Sequence, residues 1–89
     1  MRAIVTVIGK DRVGIIAEVC ALLSGENVNV LDISQTVLQE YFTMIMLVDA
    51  AGATVPFADL STRLEEEGKD RELSIRIQRE DIFNAMHRI

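Results

Sequence analysis

The stretch Gly9-Lys10-Asp11-Arg12-Val13-Gly14-Ile15 is where the chain changes its periodicity, and that change decides the fold. Before it, residues 2–9 are apolar on both faces. Ala3, Val5 and Val7 alternate with Ile4, Thr6 and Ile8, as in a strand buried on two sides. After it, Ile15, Ile16, Val19, Leu22 and Leu23 recur at spacings of three and four, the apolar stripe of an amphipathic helix. Gly25 and Asn27 supply the stop, because both tolerate left-handed backbone. The stretch therefore joins a central strand to a helix N-terminus. Asp11 stands where a carboxylate can accept the orphan N–H groups of that helix. A junction of this kind also aims free backbone N–H groups outward, which suits an anion such as the carboxylate of a small ligand. Gly14 admits two readings: it lets a ligand approach the backbone, or it only lets the helix pack tightly on the sheet. Neither GxGxxG nor GxxxxGK(S/T) is present, so this is not a phosphate-binding glycine loop.

The rest of the chain continues the pattern. Residues 28–38 read as a strand of uneven phase, apolar at Val28, Val30, Leu31 and Ile33 but carrying Asn29, Asp32, Ser34, Gln35 and Thr36. That suits a sheet edge with a bulge. Gln39-Glu40 has hairpin length. In 41–49, Phe42, Met44, Met46 and Val48 alternate with Thr43, Ile45 and Leu47, a second strand apolar on both faces. A turn at 50–53 and a candidate N-cap at Thr54 lead into a helix from about Pro56 to Glu67, with Phe57, Leu60 and Leu64 as its stripe and Gly68 as its end. Leu73, Ile75 and Ile77 alternate with polar residues, a one-faced edge strand. Ile82, Phe83, Met86 and Ile89 lie at helical spacing and predict a short C-terminal helix.

The order is βαββαβ plus that tail, an α+β chain. Right-handed crossovers make a four-stranded antiparallel sheet with strands one and three central and two helices on one face. The opposite face of the two central strands then needs cover, from the tail or from a second subunit.

Composition narrows the function. The 89 residues suit one domain, 1–89, with one core. The formal charge of −5 argues against binding nucleic acid or an anionic membrane. One cysteine, Cys20, sits in the apolar helical run and reads as a small buried hydrophobe; it allows no disulfide framework and no metal cluster. No signal peptide and no membrane-length apolar run is visible, so the expected location is cytoplasmic. His87, Tyr41 and Cys20 have no positioned partner for nucleophilic or acid–base work, so no enzyme activity is expected.

The stretch 9–15, followed by Ile16-Ala17-Glu18-Val19 and then Asn27-Val28-Asn29-Val30-Leu31-Asp32-Ile33, resembles the ACT domain over essentially the whole chain. It is particularly similar to small stand-alone ACT proteins and, more distantly, to the ACT region of the glycine-cleavage transcriptional repressor. The resemblance implies a ferredoxin-like sandwich, an allosteric role, a homodimer, a small-molecule ligand such as an amino acid, and a separate regulated protein. It implies no cofactor. Ligand-binding positions carried over are Asp11, Arg12, Val13, Gly14 and Ile15 in the loop, and Asn29, Val30 and Leu31 in strand two. Asp11 matches the position that holds the ligand amine, and Asn29 the amide that clamps it across the interface. Val13 stands where proline is usual. Gly9 stands where some serine-binding members carry a polar side chain. A protein-interaction module with an empty site is the alternative reading.

Overall fold

The computed structural model describes residues 1–82. Six elements follow in order: β1 (Arg2–Lys10), α1 (Ile15–Gly25), β2 (Asn29–Leu38), β3 (Tyr41–Asp49), α2 (Phe57–Asp70) and β4 (Leu73–Arg79). The sheet is antiparallel, with strand order β2-β3-β1-β4. The two strands apolar on both faces are thus the central ones, and the two half-polar strands are the edges. A register shift between Val30 and Asp32 marks a bulge at Leu31, which accounts for the uneven phase of β2.

Both helices lie on one face. Each contributes three residues at i, i+4 and i+8: Ile15, Val19 and Leu23 from α1; Leu60, Leu64 and Gly68 from α2. They close over Ala3, Val5, Val7, Phe42, Met44, Met46, Val48, Leu73, Ile75 and Ile77 in one core, with Cys20 half-buried at its margin. No polar or charged residue is buried among the described residues. The molecule's shortest dimension is 20 Å, the thickness of one sheet and one helical layer.

Three sequence expectations change. Of the two residues expected to stop α1, Asn27 does take the left-handed place, while Gly25 is only the last helical residue. Asn27 takes φ 59°, its N–H donates to Ser24 O at 2.9 Å, and the Val28 N–H donates to Leu23 O at 2.9 Å. This is a Schellman ending with Asn in the left-handed place. Thr54 does not cap α2; Pro56 precedes the helix, and the Thr54 hydroxyl donates to Glu26 Oε2 at 3.1 Å. Gly68 does not end α2, which runs two residues further. A Cβ there would stand 2.8 Å from Leu73 O and 3.0 Å from Ile75 Cγ1, so glycine is what lets α2 lie on β4. Residues 80–82 are helical, and the rest of the expected C-terminal helix, with His87, lies outside the described residues.

Candidate ligand-binding site

The loop between β1 and α1 is held at both ends. The Asp11 N–H donates to Glu40 O at 2.8 Å, which ties the end of β1 to the β2–β3 hairpin. Gly14 is the N-cap of α1 with φ 94° and ψ −1°, a left-handed conformation that favours glycine. No side chain caps the helix, so Asp11 does not fill the capping role expected of it. The first-turn N–H groups of Ile15, Ile16 and Ala17 therefore keep the open, electropositive character of an uncapped helix start.

A cleft of about 250 Å³ lies against that start. Its walls are Asp11, Arg12, Gly14, Ile15, Ile16 and Ala17 from the loop and α1, Gln35 and Val37 from β2, and Phe42 from β3. The Asp11 carboxylate has no partner among the described residues. Val13 is 99% exposed at the tip of the loop and does not line the cleft.

Arg12 is already engaged. Its Nη1 donates to Glu18 Oε2 at 2.5 Å and its Nη2 to Glu18 Oε1 at 3.3 Å, a two-pronged pair. Arg71 lies 3.4 Å from the same carboxylate through Nε and donates through Nη1 to Glu67 Oε2 at 2.6 Å. The hydrogen bond from Arg12 holds the Glu18 carboxyl below the usual carboxylate range, and the same bond raises the Arg12 guanidinium. The network fixes the loop to α1 and to the α2–β4 junction, and it directs the Arg12 charge toward Glu18.

The residues singled out from sequence fall into two groups. Lys10 pairs with Tyr41 and Tyr41 with Leu38, so the loop sits at the same end of the sheet as the end of β2. Asn29 pairs with Asp49 and Asp49 with Arg2, so Asn29, Val30 and Leu31 begin β2 at the far end. Eight strand steps separate the ends, roughly 26 Å at about 3.3 Å per residue. Within one chain, Asn29 and Asp11 do not meet. The β2 residues beside the loop are Gln35 and Val37, which sequence reasoning missed. Counting back from the Gln39-Glu40 hairpin sets them level with the loop, and that was the available signal.

An uncapped helix start, an unpartnered carboxylate and an apolar wall thus lie together on a βαββαβ scaffold. The sequence profile of the ACT domain matches residues 2–78, and the chain belongs to that family, whose members are generally regulatory, ligand-binding domains. A UPF0237 protein of Clostridium acetobutylicum is 56% identical over 89 residues, covering 100% of both chains. The ACT domain protein from Streptococcus pneumoniae superposes with a TM-score of 0.83 at 42% identity, covering 98% of each chain. A structure assigned provisionally as a glycine cleavage system transcriptional repressor shares the fold, with a TM-score of 0.73 at 24% identity over 86% of this chain and 44% of the other. Among the described residues no helix is long and apolar enough to cross a membrane.

Proposed function

We propose that the chain senses an amino acid at the interface of a homodimer and modulates a separate partner protein. The observation that carries this reading is the split of the candidate residues between the two ends of the sheet. The β2 edge supports the way they would be joined. It is ten residues long, nearly every side chain on it is exposed, and it carries one charge, Asp32, and no proline or lysine. Such an edge is a template for another strand. Two β2 edges paired antiparallel about a two-fold axis would lay the start of one beside the end of the other. Asn29 of one subunit would then stand beside the Asp11–Ile15 loop of its neighbour, its amide turned around the sheet edge to reach the helix side.

The chemistry suits a zwitterion. The Asp11 carboxylate takes the ammonium, the first-turn N–H groups of α1 take the carboxylate, and the Asn29 amide closes the site from across the interface. Ile15, Ile16 and Val37 leave room for an apolar side chain. A half-site of this size is smaller than most complete ligand pockets, as a site finished by a second subunit would be.

Thermal melting with each standard amino acid at millimolar concentration tests the reading. A ligand at about a hundred times its Kd adds roughly 2.7 kcal/mol. For a domain of this size each kcal/mol moves Tm by about 4–8 °C. We expect a clear rise with one or two amino acids, lost in Asp11→Ala and in Asn29→Ala. No rise with any of them contradicts ligand sensing and favours an interaction module, for which the fully exposed Val13 at the loop tip would be the first contact to test.

A further inference from the structure

The helices cover one face of the sheet; the other face is bare among the described residues. Ile4 and Ile8 of β1 and Tyr41, Ile45 and Leu47 of β3 point to it, with Ile8, Tyr41 and Ile45 each 48% exposed. Thr6 and Thr43 share this face by register, and around them Ile4, Leu47, Ile45 and Ile8 form an apolar strip down the two central strands.

We propose that a second copy of this chain covers this face, packed sheet on sheet about a two-fold axis running along the strands, so that β1 of each copy lies on β3 of the other. The interface is separate from the β2 edge invoked above and does not depend on it.

Two observations select this occupant. First, charge. On the open face, Arg2 stands opposite Asp49 at one end of the β1–β3 ladder, and Lys10 stands opposite Tyr41 at the other. A two-fold along the strands keeps each level in place and exchanges β1 with β3. Arg2 then lies over Asp49 of the second copy and Asp49 over Arg2, while Ile4 meets Leu47. A two-fold across the strands would instead set Arg2 over Lys10, like on like. The edges agree. Asp32 of β2 and Arg76 of β4 also face this side by register, and the along-strand axis sets β2 over β4. Arg2 is held by Glu80 at 2.9 Å and Asp49 by the Met1 amino group at 3.1 Å, yet their side chains remain 54% and 45% exposed and can take a further partner.

Second, area. Four strands at about 4.8 Å spacing and roughly 30 Å length give a face of about 570 Å², so two copies bury about 1,100 Å² or more between them. That reaches the lower bound of about 1,000 Å² for a specific interface.

Light scattering on the full chain at micromolar concentration, with circular dichroism as the control for folding, decides the matter. We expect Ile45→Asp and Arg2→Asp each to halve the mass of the assembly with native dichroism. We expect Arg2→Asp combined with Asp49→Arg to restore it, because the exchange regenerates opposite charges across the two-fold. None of these residues lines the loop cleft, so an amino-acid-induced melting shift, where the wild type shows one, survives in the halved species. Loss of that shift and loss of mass are therefore separable failures. Native dichroism with unchanged mass in both single variants overturns the proposal, as does a tail deletion that alone raises the mass by baring the face. Should Ile45→Asp fail to fold, the charge pair and its exchange carry the test.

Discussion

At the scale of single residues, the close approaches are the informative features. Gly68 is buried, and the Leu73 carbonyl oxygen lies 2.8 Å from where a Cβ would stand. Gly68→Ala should therefore destabilise the protein by about 1–3 kcal/mol, overpacking outweighing the gain in helix propensity. Urea denaturation measures this, and a stabilised variant would contradict the packing described. Sequence alone does not separate this glycine from a helix terminator, since both roles place a glycine near the end of an apolar stripe. The same ambiguity concealed which of Gly25 and Asn27 takes the left-handed turn. Asn27 does so because its amide also donates to Gly52 O at 2.7 Å, a contact 25 positions away that no local pattern reveals.

Titration belongs to this scale as well. The Asp49 carboxylate accepts the Ala51 N–H at 2.9 Å and lies 3.1 Å from the Met1 amino group, and both hold it below the usual range, the backbone bond more strongly. Glu18 is held low by Arg12. Each native carboxyl binds its proton less readily than the unfolded one. Their stabilisation is thus complete above the ordinary carboxylate range near pH ~4 and is lost as pH falls through the lower native values. Urea midpoints measured from about pH 2 to pH 6 should fall at the acid end. The fall should be shallower in Asp49→Asn and in Glu18→Gln; an identical acid limb in both variants would contradict the assignment.

At the scale of elements, periodicity carried most of the information. The two-faced apolar runs at 2–9 and 41–49 placed β1 and β3 in the sheet's centre, and the broken phase of 28–38 placed β2 at an edge with a bulge, where it lies. The N-termini of the helices were harder to read. Asp11 and Thr54 are good capping residues by type, but Gly14 and Pro56 occupy the cap positions, and the two polar side chains are used elsewhere or left open. Gly14→Ala isolates the loop's contribution. Its φ of 94° lies where a Cβ is strained, so a loss of about 1–2 kcal/mol is expected in denaturation experiments. A neutral result would mean that the loop has room to relax.

At the scale of the whole molecule, the fold could be read from the sequence because every level of the chain points to it: period, turn length and the placing of glycine agree. The candidate site could be read only in halves. Asp11, Arg12, Gly14 and Ile15 line the cleft; Gln35, Val37 and Phe42 join them through strand register, and Asn29, Val30 and Leu31 stand at the other end of the sheet. A reading confined to one chain has no means of bringing the two halves together, because the contact that would unite them is not made within it.

Subunit mixing addresses that contact. Asp11→Ala and Asn29→Ala proteins, each unable to bind the amino acid that stabilises the wild type, are unfolded together and refolded as an equimolar mixture. If the ligand lies between the loop of one subunit and β2 of its neighbour, calorimetric titration of the mixture should recover about a quarter of the wild-type sites, the random-assortment value for a two-fold dimer. No recovery, with mixed dimers demonstrably present, would contradict a shared site.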